Sequence, residues 1–376
     1  MPTAEKRPLS QIRKELKIKW YRCPIEPMKL RKLSKPRDSK GFAMALGHLA
    51  LWSLTGILSF FLASQQLWMG FLLTLFLHGT IGTFFSAPHH ELSHGTVFET
   101  KWLNGFFLRI FSTLGMLNFH IYKMSHSYHH RFTLHNAGDK EVVLPKVPSL
   151  KFLYLLQLFT FNFTGGFESR GLLPTLRGYI RVVSNRMENP FNDRGEELYA
   201  EDPEERLKAV KWGRFILGFH LTVAVVSILM GHPVLILILT AHIFIGNWLR
   251  YFVGAPMHCG LRSDVADFRK CVRTITLDPV SEFLYWHMNW HLEHHMFAGV
   301  PCYHLKQLHQ TVVEDMPQPR TLLMSWQEMR NVWRQQQYEP EYAFDTPVPP
   351  QRCRKKKNQE EALESSIGDL APFTIA

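Results

Sequence analysis

The sequence contains few cysteines, and they lack the spacing of the common redox and haem motifs. Only 5 of the 376 residues are cysteine, and no two of them form the C-x-x-C pattern of a redox pair or a haem-attachment site. This scarcity excludes a disulfide framework and suits a reducing compartment. The glycine fingerprint of a dinucleotide-binding fold is also missing. The cysteines are Cys23, Cys259, Cys271, Cys302 and Cys353.

Charged residues are almost absent from four long apolar runs. Each run is close to the roughly 20 residues that cross the hydrocarbon core of a bilayer. The runs come in two pairs, and the short links at residues 64–66 and 231–233 force each pair into a hairpin. The sequence therefore predicts an integral membrane protein of the all-α class, with four transmembrane helices in two hairpins. The predicted spans cover about residues 41–63, 67–87, 215–230 and 234–253.

Two further apolar stretches contain polar breaks and are predicted not to cross the membrane. Residues 102–119 are interrupted by Arg109 and Asn118, and residues 150–167 by Gln157. Both stretches are predicted to lie at the interface or to re-enter partway. The charged stretch from residue 168 to about 213 is predicted to lie in water.

Positive charge is concentrated in the first 40 residues and is missing from both hairpin links. A basic arm directly before an apolar span is typical of contact with anionic lipid on the cytoplasmic face. Nucleic-acid binding is disfavoured because no recognition motif accompanies the arm, and its length disfavours a cleavable signal peptide. The positive-inside rule then predicts that both termini are cytoplasmic.

Histidine is abundant, with 20 residues, and ten of them fall into three short groups. Residues three or four apart share one face of a helix, so each group can present several imidazoles together. Because each hairpin returns the chain to its starting side, all three groups are predicted to form one histidine-rich helical cap on the cytoplasmic face. The groups are His89, His90 and His94; His126, His129 and His130; and His287, His291, His294 and His295.

So many imidazoles indicate two metal ions. Nitrogen ligands favour iron, copper, nickel or zinc over magnesium or calcium, whereas structural zinc needs four ligands and usually recruits thiolates. A site at the edge of a membrane anchor indicates a lipid substrate that arrives from the bilayer. Since no side chain can oxidise an unactivated C–H bond, the pattern favours an O2-activating pair of irons.

These motifs resemble the membrane fatty acid desaturase and hydroxylase superfamily, whose members carry three histidine boxes beside paired transmembrane helices. The resemblance extends from about Gly41 to His309 and includes a histidine, His258, just after the last span. It implies a metal-ligand set of His90, His94, His126, His129, His130, His258, His291, His294 and His295.

Several neighbouring residues are secondary candidates. Some family members have a wider first box, which only His89 would reproduce, and His287 precedes the third box by one helical turn. With Glu91 and Glu293, these residues are predicted to be additional ligands or to contact the ligands. The carboxylates that could orient ligand imidazoles are Glu91, Asp139, Asp278, Glu282 and Glu293.

The resemblance implies a non-haem centre of two iron ions that uses O2 and two electrons to desaturate an acyl chain. Hydroxylation of an alkyl, sterol or carotenoid substrate would use the same ligands and remains an alternative. A separate electron donor, namely ferredoxin, rubredoxin or cytochrome b5 with its reductase, is expected because the sequence carries no haem or dinucleotide motif. The alternatives without catalysis are a histidine-rich metal transporter and a zinc-binding scaffold.

The predicted organisation has four parts. A basic arm over residues 1–40 precedes the membrane desaturase domain at residues 41–310, and a helical extension at residues 311–340 precedes a disordered tail at residues 341–376.

Overall fold

The computed structural model describes residues 8–142, 148–165, 170–187 and 195–351. These residues are mainly helical, with one pair of two-residue parallel strands, β1 (Ile275–Thr276) and β2 (Arg320–Thr321). The prediction of an all-helical architecture is therefore confirmed in outline.

The basic arm packs against the rest of the protein. It contains α1 (Leu9–Glu15) and α2 (Pro27–Leu33). Between these helices, the ring of Trp20 stacks on Phe268 with 3.9 Å between ring centroids. Residues 1–7 lie outside the described part of the chain.

The first hairpin is present as predicted. Helix α3 (Asp38–Ser64) contains the first predicted span, and α4 (Trp68–Thr83) forms most of the second. The two helices pack along their length, and apolar side chains such as Leu54 and Leu72 remain exposed, as expected for a surface that faces lipid. The chain continues into α5 (Ser86–Ser93), which carries His89 and His90 of the first histidine group, and His94 follows its last residue.

A third long helix, α11 (Pro203–Leu229), contains all of the third predicted span except its last residue, Met230. The carboxylate of Asp202 accepts a hydrogen bond from the backbone N–H of Glu205, and Pro203 occupies the first turn, so both features favour a helix start here. By length and composition, Asp38–Ser64, Trp68–Ser93 and Pro203–Leu229 are the three described segments that could cross a membrane.

The prediction of one uninterrupted fourth helix over residues 234–253 is wrong. The chain instead forms α12 (Val234–Leu239), a 3-10 turn at Ala241–Phe244 and α13 (Trp248–Gly254). Gly246, with φ of +64°, lies against α4, where a Cβ atom would come within 2.6 Å of the Thr80 hydroxyl oxygen. That residues 234–253 cross the membrane remains a prediction.

Non-helical backbone within a bilayer is tolerated where protein groups satisfy its polar atoms. Residues 160–162 satisfy backbone polar atoms at the break between α12 and α13. The N–H of Asn162 donates to the carbonyl of Phe244 (2.7 Å), and the N–H of Gly246 donates to that of Thr160 (3.2 Å).

Shorter helices connect the long ones and place the first two histidine groups side by side. One of them, α6 (Lys101–Leu114), covers most of residues 102–119, which were predicted not to span. Another, α8 (Phe152–Phe159), has only eight residues and exposes Phe152 and Leu153. These helices are α6 (Lys101–Leu114), α7 (Phe119–Phe132), α8 (Phe152–Phe159), α9 (Leu172–Val183) and α10 (Gly195–Tyr199).

The C-terminal part forms a helical cap over the ends of the long helices. Its largest core cluster contains Phe98, Phe111, Trp286 and Leu305, which come from both halves of the chain. The helices of the cap are α14 (Phe268–Cys271), α15 (Pro279–Leu284), α16 (His291–Met296), α17 (Leu305–Val312) and α18 (Leu322–Gln335), with 3-10 turns at Ala255–Met257, Cys302–His304 and Val313–Asp315.

The first residues of the predicted disordered tail are packed on this cap. The N–H of Phe344 donates to the carbonyl of Gly260 (2.8 Å), and the carboxylate of Asp345 pairs with Arg262 (3.1 Å) and Lys270 (3.0 Å). Residues 341–351 therefore do not fit the prediction of a disordered tail. The remaining residues of the predicted tail, 352–376, lie outside the described part of the chain.

Candidate metal centre

Four segments of the chain converge at one place in the cap and bring the histidine groups together. Helix α5 and the residue after it supply His90 and His94, and α7 supplies the second group. Helix α16 supplies His291, His294 and His295 of the third group, and His258 follows the 3-10 turn after α13. The i, i+4 spacing predicted from the sequence is present in α7, where His126 and His130 lie one turn apart.

All nine imidazoles predicted as ligands lie in two clusters. Within each cluster, one potential ligand atom per residue lies within 4.8 Å of every other. The five-histidine cluster comprises His90, His94, His126, His130 and His294, and the four-histidine cluster comprises His129, His258, His291 and His295.

The spacing of the nitrogens fits a common cation in the five-histidine cluster. The Nε2 atom of His126 lies 3.1 Å from that of His94 and 3.0 Å from that of His130. The Nε2 atom of His294 lies 3.1 Å from that of His94 and 3.2 Å from that of His130. Nitrogens bound to one metal ion at about 2.1 Å and at right angles lie about 3.0 Å apart.

The four-histidine cluster has similar spacing. The Nε2 atom of His291 lies 3.0 Å from that of His258 and 3.2 Å from that of His295. The rings of His129 and His258 meet nearly edge to face, with centroids 4.8 Å apart. His130 and His295 link the clusters, because their rings stack with centroids 4.4 Å apart.

Hydrogen bonds to the second ring nitrogen place the metal-binding lone pair on Nε2. The Nδ1 atom of His126 lies 2.7 Å from a carboxylate oxygen of Glu141, and that of His258 lies 3.1 Å from the carbonyl oxygen of Cys271. Since each oxygen accepts a hydrogen bond, the proton of a neutral ring resides on Nδ1 and the lone pair on Nε2. Lone pairs about 3 Å apart repel, so a shared cation would stabilise this arrangement.

Other ligand rings are held in the same way. Asp139 accepts a hydrogen bond from Nδ1 of His129 (2.9 Å), Glu91 lies beside Nδ1 of His90 (2.9 Å), and Thr133 lies beside Nδ1 of His295 (3.1 Å). Contacts of this kind fix ring orientation and raise ligand basicity in metal sites.

Burial favours the neutral, metal-binding form of the imidazoles. It is the largest cause that lowers the pKa of His126, His130, His294 and His295, and the neighbouring histidines lower it further. Both effects act against the charged form, so the rings stay neutral and keep a lone pair with which to bind a metal ion.

The comparison with known families agrees with this geometry. Residues 66–327 match the family model described as Fatty acid desaturase. The chain belongs to the fatty acid desaturase family. The resemblance recognised in the histidine boxes is thereby confirmed, and no curated protein sequence matches the chain.

Membership of the fatty acid desaturase family indicates a membrane-bound oxidoreductase that acts on fatty acids. The two histidine clusters are compatible with the di-iron centre that is general in this family. The family does not distinguish desaturation from hydroxylation.

In this desaturase-family chain, the secondary candidates of the first and third boxes lie outside the two clusters. The Nδ1 atom of His89 lies 2.9 Å from the hydroxyl oxygen of Ser112, so His90 and not His89 joins the first box. His287 has a φ of +55° and lies 3.3 Å from Glu282. Its backbone conformation places it outside the helix that carries the third box.

Of the five predicted carboxylates, two contact ligand rings and three contact other residues of the cap. Glu293 is held by His309 and Thr274, each at 2.6 Å, and so supports the cap behind the third box. Asp278 accepts from two backbone N–H groups at the start of α15, and Glu282 contacts Trp290 (2.5 Å). Only Glu91 and Asp139 of the predicted set contact ligand rings.

Several contacts to ligand rings escaped the sequence analysis, among them that of the Tyr122 hydroxyl, which lies 3.2 Å from Nδ1 of His126. Glu141 and Thr133 lie outside the boxes, and nothing in their spacing marks them as partners of His126 and His295. The sequence signal was the run of polar residues that follows the second box, but only the fold shows which of them turn back toward α7.

Proposed function

We propose that this protein is a membrane-bound di-iron desaturase that uses O2 to introduce a cis double bond into a fatty acyl chain. The convergence of nine buried or partly buried imidazoles into two adjoining clusters carries the proposal. When bound, the two irons would supply the O2 activation that amino-acid side chains lack.

The ligand assignment follows the clusters. One iron would be held by His90, His94, His126, His130 and His294, and the other by His129, His258, His291 and His295. The protein would keep the proton of each ring on Nδ1 through partners such as Asp139 and Glu141, and would exclude water from the ligand nitrogens by burial.

Ligand chemistry favours this function over a zinc scaffold. A structural zinc ion is satisfied by four ligands and usually binds thiolates. Among the described residues, no cysteine belongs to either cluster; the nearest contribution is the backbone carbonyl of Cys271. Two nitrogen-rich sites side by side suit a pair of irons.

A metal transporter would need ligands along a path through the spans. His78 and His220, which lie within the long helices, instead bind backbone carbonyls and hydroxyl groups of neighbouring segments. These contacts support a structural role for both histidines.

Contacts at the helix ends support a site on one side of the membrane. The carboxylate of Asp38, at the start of α3, accepts from the N–H of Thr100 (3.0 Å), just beyond the first histidine box. At the start of α11, Glu205 lies 3.4 Å from His120, on the helix that carries the second box. With the uncharged hairpin links, this arrangement favours a cytoplasmic active site and cytoplasmic termini.

We further propose that electrons come from a separate ferredoxin, rubredoxin or cytochrome b5 with its reductase. The chain's net charge of +11 would attract an acidic donor, and raising the ionic strength should then slow electron transfer. A rate that does not change between about 10 and 500 mM salt would contradict electrostatic docking.

Lipid profiling and metal analysis test the proposal together. We expect about two irons per chain in the purified protein, and an acyl product that has lost two hydrogens in a host that expresses the intact enzyme. The His129→Ala variant should abolish the product. His304→Ala is the matched control, because His304 is a buried cap histidine that binds the carbonyl of Leu33 and belongs to neither cluster.

The outcomes separate the alternatives. A product that gains one oxygen would identify a hydroxylase. Bound zinc without any O2-dependent product would identify a scaffold, and equal activity of His129→Ala and the intact protein would refute the ligand assignment.

A further inference from the structure

A cavity of about 40 Å³ lies beside the first histidine box. It is found where the end of α4 and the start of α5 face the broken segment between α12 and α13, and its walls include Ser86, Ile243 and Asn247. Since one water molecule needs roughly 10–15 Å³, the cavity has room for a small chemical group of a few heavy atoms.

Two arginines give this cavity its charge. Arg170, which precedes α9, and Arg250, in α13, both line it, and both side chains are partly buried. Among the described residues that line the cavity, none is acidic. Arg250 lies within the apolar segment at residues 234–253, where a charged side chain is a candidate functional residue because charge is costly in a bilayer.

Neighbouring residues fix the position of both guanidinium groups. The Nε atom of Arg250 donates to the hydroxyl oxygen of Ser86 (2.9 Å). The two terminal nitrogens of Arg170 donate to the backbone carbonyls of Gly115 and Met116, just after α6. Both groups are therefore positioned at the cavity before any ligand binds.

The two positive charges act against each other. Burial is the largest cause that lowers the pKa of Arg170; Tyr179 raises it, and the charge of Arg250 lowers it. Two like charges at one partly buried cavity are costly unless an opposite charge compensates them. A bound anion would supply that compensation.

The donors at the cavity determine the class of anion. A guanidinium carries five N–H donors in a planar fork that matches the oxygens of carboxylate and phosphate groups, and Arg170 uses two of its five with the described residues. The amide of Asn247 is already bonded to the Ile243 carbonyl (2.7 Å) and to Asn162 (2.9 Å), so the arginines are the main donors. A hydroxyl or ester oxygen would leave both charges uncompensated.

We propose that Arg170 and Arg250 bind an oxyanion in this cavity, namely the carboxylate or phosphate group of a lipid. The inference rests on the proposed function in taking that lipid to be the substrate. The substrate would then be a lipid with an ionised end, and not a neutral ester or a hydrocarbon.

The location of the cavity determines which part of the lipid would meet the metals. Ser86, which holds Arg250, precedes His90 by four residues in α5, or about 6 Å at the helical rise of 1.5 Å per residue. Phe85 and Ile243 give the same cavity an apolar wall that suits an acyl chain. A lipid with its charged group at the arginines would therefore present the carbons nearest that group, and not its methyl end, to the clusters.

Ligand binding to the iron-loaded, full-length protein tests the site. The protein is kept in an uncharged maltoside detergent, and its melting temperature and the dissociation constant of each probe are measured. Palmitate and hexadecyl phosphate carry the two anions, whereas methyl palmitate and 1-hexadecanol are neutral. We expect at least one anionic lipid to bind and raise the melting temperature, and neither neutral lipid to do so. Equal binding of palmitate and methyl palmitate, with no binding of hexadecyl phosphate, would overturn the proposal.

Two small anions separate a lipid group from a free ion. Acetate and inorganic phosphate should bind much more weakly than palmitate and hexadecyl phosphate, because the lipids add an apolar chain that can be buried. Small anions that bind as tightly as the corresponding lipids would overturn the assignment to a lipid.

Variants of Arg250 provide a second measurement. Arg250→Gln should weaken binding of the anionic lipid about tenfold or more, as expected for loss of a hydrogen bond to a charged group, and Arg250→Lys should restore part of it because the charge is kept. Arg214→Gln is the matched control, since Arg214 is an exposed arginine of α11 that donates to the Val183 carbonyl (3.2 Å) and does not line the cavity.

Anionic lipids that bind Arg250→Gln as tightly as the intact protein would overturn the site. Should Arg250→Gln fail to fold, the comparison of charged and neutral probes on the intact protein still decides. In the product, we expect the oxidised carbons to lie nearer the charged end than the methyl end, and the opposite position would contradict the placement of the charged group in this cavity.

Failure of the proposed function would be seen differently. A protein without iron or without O2-dependent product that still binds the anionic lipid through Arg250 would contradict the desaturase activity and support the anion site. A protein with iron and product that binds neither anionic lipid would contradict the anion site alone.

Discussion

The carboxylate of Asp139 lies 2.9 Å from Nδ1 of His129, and both side chains are buried. The same carboxylate accepts hydrogen bonds from the backbone N–H groups of Leu134, Glu141 and Val142. Asp139 thus hydrogen-bonds both to the ligand ring of His129 and to the backbone of the loop after α7. Because both partners are buried, removing either one would leave the other without its hydrogen bond in a site that excludes water.

Replacing Asp139 with Asn should weaken metal binding in the four-histidine cluster. Loss of the partner of a ligand imidazole typically costs 10- to 100-fold in metal affinity, so the iron content of the purified protein should fall below that of the intact protein. Asp278→Asn is the control, because Asp278 caps α15 and contacts no ligand. Equal iron content in the Asp139 and Asp278 variants would show that Asp139 does not support the site.

The first histidine box can be tested by a pair of adjacent substitutions. His90→Ala should remove a ligand of the five-histidine cluster and abolish product formation, whereas His89→Ala should retain both irons because His89 bonds to Ser112 outside the clusters. Iron analysis and product yield check both variants. Metal loss in His89→Ala but not in His90→Ala would reverse the assignment.

Removal of the metals should destabilise the cap. The clusters join four segments that are distant in sequence, and each ion present at 100 times its dissociation constant stabilises the folded state by about 2.7 kcal/mol. Treatment with an iron chelator should therefore lower the melting temperature, and iron should restore it. A chelator-treated protein that melts at the same temperature would contradict metal binding at these clusters.

The break between α12 and α13 should depend on Gly246. Alanine there would have to adopt a φ of +64° and would approach the Thr80 hydroxyl within 2.6 Å, so we expect a loss of about 1–3 kcal/mol in stability. Gly218→Ala in α11 is the control, since a Cβ atom there meets nothing within 4 Å. It should stabilise the helix by roughly 0.5–1 kcal/mol. Thermal unfolding of both variants in detergent measures the difference.

Membrane topology can be measured with single cysteines. In a host that inserts the protein into its cell membrane, Gln65→Cys, in the exposed link of the first hairpin, should react with an impermeant thiol reagent added outside intact cells, and Gln337→Cys, exposed after α18, should react only after lysis. The intact protein controls for labelling of its own cysteines. Labelling of both variants from the same side would refute the proposed topology.

The local sequence was sufficient to predict the long helices and the three groups that hold eight of the nine clustered histidines. A bilayer requires long apolar runs, and helical periodicity places residues three and four apart on one face, so α3, α4, α11 and the boxes could be recognised from spacing alone. The family resemblance added His258, whose isolated position in the sequence carries no spacing signal.

Tertiary structure decided the remaining features because they depend on contacts between distant segments. Backbone groups at the break between α12 and α13 form hydrogen bonds with residues 160–162. The ring of His126 is held by Glu141, which lies beyond the end of α7. The choice of His90 over His89 depends on which neighbouring ring faces the third box. Hydrogen-bond partners of buried groups are set by the packing of the whole chain, and no local pattern encodes them.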